Sequence, residues 1–198
     1  MKKILALLLI FTCAFALFAC GDKGPSPEEL AYREAVKTFT DAATAVPEGL
    51  TVSVKATTEL GVLNATYVTV YNQNGTSTIE YSVDKVNGLD AEDDFTTVTG
   101  TITVDANGNY SDGGAFAGAN PAAAGVKIDF ASNKITCSIS GDTLSAAVAA
   151  ADTQAVIGIS LPSDAVITAV KSADKIVSIA VNYTAETGAV EIACTYNY

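Results

Sequence analysis

From Leu50 to Tyr198 apolar and polar residues alternate with a period of two, and turn residues break the alternation at short intervals. Successive side chains of a strand point to opposite faces, so each such segment must bury one face and pair its backbone with neighbours. Val52, Val54 and Ala56 alternate with Thr51, Ser53 and Lys55. Asn72-Gln73-Asn74-Gly75 is a hairpin signal leading into Ile79, Tyr81 and Val83. Val98, Ile102 and Val104 run to a turn at Asn107-Gly108. Val126, Ile128 and Phe130 turn at Ser132-Asn133 into Ile135, Cys137 and Ile139, and Gly141-Asp142 turns again into Leu144, Ala146 and Val148. The last hairpin places Val177, Ile179, Val181 and Tyr183 opposite Val190, Ile192, Cys194, Tyr196 and Tyr198, around Glu186-Thr187-Gly188. The spacing predicts about ten strands, mostly antiparallel because the connections are short.

One amphipathic helix precedes them. Ser26-Pro27-Glu28-Glu29 combines an N-cap serine, a first-turn proline and a capping-box glutamate. Tyr32, Ala35, Val36, Phe39, Ala43 and Val46 share a stripe at helical spacing, and Pro47 and Gly49 end it, predicting a helix over 27–46. Residues 113–125 form a Gly/Ala loop, and 149–157 read as one or two helical turns closed by Gly158. The expected fold is mainly β (α+β). A large, antiparallel, strongly curved meander sheet, half-barrel-like, carries the N-terminal amphipathic helix packed on it and one short helical insertion.

The chain opens with Met1-Lys2-Lys3, an apolar run of 16 residues from Ile4 to Ala19, and then Cys20. A membrane-spanning helix wants about 20 residues; a basic start, a short apolar stretch and small residues at the cut describe a secretory signal peptide. Leu17-Phe18-Ala19-Cys20 resembles the lipobox of bacterial lipoproteins, matching at Leu17, Ala19 and Cys20, with Phe18 bulkier than usual. The resemblance implies removal of residues 1–19, acylation of Cys20 and a short linker over 20–26. A single helix-plus-sheet domain over 27–198 then lies outside the cytoplasm on a bacterial membrane. Two acyl chains, at about 0.8 kcal/mol per buried methylene, hold a protein stably at a bilayer. Residues 21–25 span at most roughly 20 Å, which keeps the domain close to the lipid. Cys13, which follows Thr12, reads as a small apolar residue of the leader.

Lys and Arg number 11 against 22 Asp and Glu; without Lys2 and Lys3 the balance is 9 against 22, a net −13. Such a chain has no electrostatic route to nucleic acid and is repelled by anionic head groups. It contains no histidine, which removes the commonest general base and metal ligand together. Cys137 and Cys194 fall on the apolar faces of their segments, as two buried thiols or one strand-to-strand disulfide.

Asp105-Ala106-Asn107-Gly108-Asn109-Tyr110 begins like an EF-hand loop, but Tyr110 and Phe116 occupy the positions of its glycine and bidentate glutamate. A turn explains the motif, so no metal is expected. Glu92, Asp93 and Asp94 read as a solvated connection rather than half of a carboxylate pair. With no activated nucleophile and no phosphate loop, the chain reads as non-enzymatic and without cofactor.

The element order and size resemble the half-barrel of the LolA/LppX-like lipoprotein carriers, in which a bent sheet wraps helices and shelters lipid chains. No motif carries that resemblance, and this chain has only one substantial helix. It implies an apolar cavity between sheet and helix, with Tyr32, Val36 and Phe39 facing the ligand. The expected function is a membrane-anchored extracytoplasmic binding protein for an apolar or lipid-like ligand. Its partners are membrane lipid through acylated Cys20 and that ligand. The rival is an envelope interaction module whose Thr/Tyr-rich sheet contacts protein or glycan. Cys20→Ala should abolish incorporation of a fatty-acid analogue during metabolic labelling; undiminished label on the variant would remove the anchor.

Overall fold

The structure, a computed structural model, describes residues 25–59, 61–86, 95–115 and 125–198. Cys20, the leader and the acidic run Glu92, Asp93 and Asp94 lie outside them. The chain divides into two compact units, Met1–Glu34 and Ala35–Tyr198. Among the described residues no helix is long and apolar enough to cross a membrane.

Helix α1 spans Pro27–Ala42 and starts as its sequence predicts, the Glu29 N–H donating to Ser26 Oγ at 3.1 Å. It ends four residues before the expected Val46. Thr44 N–H and Ala45 N–H reach back only three residues, to the carbonyls of Asp41 and Ala42, while the Thr44 hydroxyl also donates to Asp41 O at 2.7 Å. This tightened last turn, in a run of Ala and Thr, closes the helix. Val46 is therefore 86% exposed and Ala43 is exposed, whereas Ala42, absent from the expected stripe, is buried beside Phe39.

The strands are β1 (Gly49–Thr58), β2 (Gly61–Tyr71), β3 (Ser77–Val86), β4 (Phe95–Val104), β5 (Cys137–Ser140), β6 (Thr143–Val148), β7 (Ala165–Ser172), β8 (Lys175–Ala185) and β9 (Gly188–Asn197). They form one open antiparallel sheet of nine strands in the order β4-β3-β2-β1-β9-β8-β7-β6-β5. The sheet is two meanders rather than one: the first strand of the first meander pairs with the last strand of the second, through ten aligned residues from Gly49↔Asn197 to Thr58↔Gly188. The strand assigned to Val126, Ile128 and Phe130 is absent. All three side chains are buried, so the alternation is real, but this stretch pairs with no strand. Its polar backbone bonds elsewhere, as when Asp129 N–H donates to Val156 O at 2.8 Å.

Registers place one residue of every strand in each inner row. Gly100, Tyr81, Tyr67, Val52, Cys194, Ile179, Ala169, Leu144 and Ile139 form one row, and Val98, Val83, Ala65, Val54, Ile192, Val181, Ile167, Ala146 and Cys137 the next. Cys137 and Cys194 are both buried, and they form no disulfide with each other. Four strand spacings separate them, about 19 Å in the plane of the sheet at about 4.8 Å each, whereas a disulfide needs Cα atoms within about 7 Å. The opposite face is rich in small hydroxyl side chains, with Thr99, Ser82, Thr66 and Ser53 aligned across β4 to β1.

The chain between β4 and β5 must travel from one edge of the sheet to the other, and it crosses the inner face. Gly125, at φ 80°, passes over β1 so closely that a Cβ there would lie 2.6 Å from Leu50 Cδ2, so a larger residue would be strained and would displace the leucine. Tyr196 Oη then donates to Val126 O at 2.8 Å. Phe130 reaches Phe39 of α1, ring centroids 5.8 Å apart, and the Lys171 ammonium stands 5.8 Å from the Phe39 ring centre. The insertion forms as expected, a 3-10 turn Ala150–Asp152 followed by α2 (Thr153–Ile157), closed by Gly158 at φ 75°. Its buried Thr153 hydroxyl donates to Ala150 O at 3.0 Å and accepts from Leu161 N–H at 2.9 Å, so burial costs it no hydrogen bond. Phe39 is fully enclosed. Phe39→Ala should therefore lower unfolding stability by about 3–5 kcal/mol, read as a fall in urea midpoint at unchanged m-value; a loss below about 1 kcal/mol would show that the ring is not part of the core.

Candidate apolar groove

Among the described residues, the covering segments fill only half of the inner face. On the β5–β9 side Leu144, Ala146, Ile167, Ala169, Ile179, Val181, Ile192 and Cys194 are all buried. On the β1–β4 side the row through Leu50, Thr69, Ile79 and Ile102 is buried, but below it the packing opens. Val54, Ala65 and Val83 are half-buried, and Val98 is 42% exposed. Here lies a groove of about 580 Å³ lined by Tyr81, Val83, Val98 and Ile102, with Asp84, Lys85, Thr101, Ser111 and Asp112.

Strand alternation turns Tyr81 and Val83 of β3 and Val98 and Ile102 of β4 into this space. Gly100 sits between the two β4 side chains and shapes it. A Cβ at position 100 would fall 2.5 Å from Tyr81 Cζ, so the tyrosine ring lies down over the glycine instead of standing across the groove. The far wall comes from the turn after β4. Asp105 carboxylate oxygens accept from Asn107 N–H at 2.8 Å, Asn109 N–H at 2.9 Å and Asn109 Nδ2 at 2.9 Å. Those bonds, which hold the carboxyl below its usual range, close the motif that began like a calcium loop. The turn folds the chain back so that Val104 bridges Tyr110 and Ser111 N–H donates to Thr103 O at 2.9 Å, bringing Ser111 and Asp112 to the rim.

On the other side of β3, Asp84 accepts from Asn64 N–H at 3.0 Å, Asn64 Nδ2 at 3.2 Å and the Thr97 hydroxyl at 2.9 Å. One carboxylate thus laces β2, β3 and β4, and these bonds lower its pKa. Of the residues expected to face a ligand, Phe39 is enclosed and Val36 half-buried, and neither lines the groove. Tyr32 stands half-buried on the part of α1 within the first unit. The groove residues were legible as one strand face each; the sign that they border a space was Gly100, the gap in the apolar alternation of β4.

No family model matches the chain, and no curated protein matches it. Among solved structures it is similar to LprF from Mycobacterium bovis, at 16% identity and a TM-score of 0.39, over 87% of this chain and 94% of that one.

Several tyrosines of the sheet titrate late. Burial raises the pKa of Tyr67, Tyr71, Tyr183 and Tyr198, and most strongly that of Tyr196. The unfolded chain loses these protons near pH 10, about the ordinary tyrosine value, while the folded chain keeps them. Stability is therefore intact below about pH 10 and falls as pH rises above it, because the folded state then binds more protons than the unfolded. Near-ultraviolet tyrosinate absorbance should rise late and together with loss of the sheet's circular dichroism; full ionisation near pH 10 with the sheet intact would contradict the burial.

Proposed function

We propose that the chain is a membrane-anchored extracytoplasmic binding protein, non-enzymatic, which holds an apolar, lipid-like ligand on the β1–β4 half of its inner face. The observation that carries the reading is the contrast between the two halves. Among the described residues the same sheet face is buried over β5–β9 and left open over β3 and β4, where Val98 is 42% exposed. A volume of about 580 Å³ with an apolar floor and a polar rim suits small-ligand sites, commonly about 300–1,000 Å³. The lipobox-like Leu17-Phe18-Ala19-Cys20 and the short spacer after it support a binding protein that works near a bilayer. The ligand needs no charge partner: the floor offers Val83, Val98 and Ile102, and the rim offers Lys85, Ser111 and Asp112 for a polar head.

The rival interaction module draws support from the opposite face, where Val68 and Val70 of β2 are exposed among threonines. Binding of the fluorescent apolar probe anilinonaphthalene sulfonate to the full chain separates the two. Val83→Trp, which fills the groove floor, should weaken probe binding at least tenfold with the thermal midpoint nearly unchanged. Val36→Trp serves as the companion variant on the helix stripe, and loss of binding there instead would move the ligand to α1. Absence of probe binding by the unaltered chain would turn the reading to the interaction module.

A further inference from the structure

The two edges of the sheet differ. β5 is four residues long, too short to recruit a neighbour, whereas β4 runs for ten residues, Phe95–Val104, with no charged residue and no proline. Its pairing with β3 is continuous, without a bulge. Natural sheets protect long edges with lysine, proline, bulges or a covering segment, and among the described residues β4 has such cover only at its end. There the turn supplies Ser111, whose Oγ accepts from Thr103 N–H at 3.1 Å and whose N–H donates to Thr103 O at 2.9 Å.

That pair of bonds fixes which groups face outward. Both polar backbone groups of Thr103 point away from β3, and in an antiparallel strand the same side recurs at every second residue. Phe95, Thr97, Thr99 and Thr101 therefore direct their N–H and C=O groups to the free edge. Among the described residues no strand lies beyond β4. Only another extended backbone offers donors and acceptors at this spacing. The inward side chains of such a strand would land beside Val98 and Ile102, at the mouth of the groove.

Charge chooses the occupant. Asp90, Glu92, Asp93 and Asp94 immediately precede Phe95 in sequence, and Asp105 and Asp112 follow the other end of β4, with Lys85 the one basic residue of the groove lining. A second copy paired antiparallel would set the acid-led end of one β4 against Asp105 and Asp112 of the other, like charge against like. We infer that β4 takes as an added strand an extended segment of another protein, alternating in apolar residues and bearing lysine or arginine. The inference is independent of the apolar ligand, since it uses the backbone edge rather than the groove floor.

Fluorescence polarisation of a labelled Lys-Val-Thr-Val-Lys-Val-Thr-Val-Lys peptide against the full chain in detergent tests it. Thr99→Pro deletes an outward N–H without touching the β3 ladder, as edge proline allows, and should weaken binding at least tenfold. The same peptide N-methylated at alternate residues should lose binding to the unaltered chain to a similar degree, an arm that does not depend on the folding of the variant. Equal binding of plain and N-methylated peptides would overturn the proposal in favour of simple charge attraction, and no binding at all would also overturn it. A wild-type dimer in sedimentation that Thr99→Pro dissolves would assign the edge to a second copy instead.

Discussion

The β1–β9 ladder is the interaction on which the rest depends. Each meander is built from neighbours in sequence, but a four-stranded and a five-stranded sheet become one only because Gly49–Thr58 lies along Gly188–Asn197 in a single register. A slip of one residue would turn Val52 and Val54 out and Thr51 and Ser53 in. The inner rows of both halves are aligned through this junction, so its register decides whether a continuous apolar face exists. Val52 and Cys194, which face each other across the junction, and Tyr67 beside Val52 are all fully buried.

Joining two meanders at their first and last strands leaves β4 and β5 at opposite edges, and the connection between them has to cross the whole sheet. It does so over β1 and β9 and then over the β5–β9 side, where Val126, Ile128, Phe130 and Ile135 are buried. The crossing segment is thus the cover that one helix of sixteen residues could not supply. Among the described residues it serves one half and leaves the other open, so the groove owes its place to the topology and its shape to Gly100.

Local signals in the sequence carried through to the structure wherever a short-range cause sufficed. The Ser26–Glu29 cap, the hairpins at Asn72–Gly75 and Glu186–Gly188, the Gly158 helix stop and the inward parity of almost every strand residue are of this kind. What depended on distant partners was not legible. Alternation at Val126–Phe130 marks an extended, half-buried segment equally well whether its backbone joins a ladder or bonds to scattered groups. Cys137 and Cys194 announced their faces but not the three strands between them. The stripe on α1 was read about one turn too far, in the part where Thr44 and Ala45 choose tighter bonds. The groove was obscured most of all, because an empty volume is defined by which segment fails to arrive there, and only Gly100 hinted at it.

The pairing of Gly49 with Asn197 has a mechanical meaning. Glu48 N–H donates to Asn197 O at 2.7 Å, so the chain enters β1 and leaves β9 at the same end of the ladder. Tension applied between these two points loads the rungs one after another from that end, as a zipper is opened, instead of shearing all ten together. A pull between the residues before Gly49 and those after Asn197 would meet little resistance and would part the two meanders along their seam. The same pull exerted through the edge strands would run across every ladder of the sheet in series.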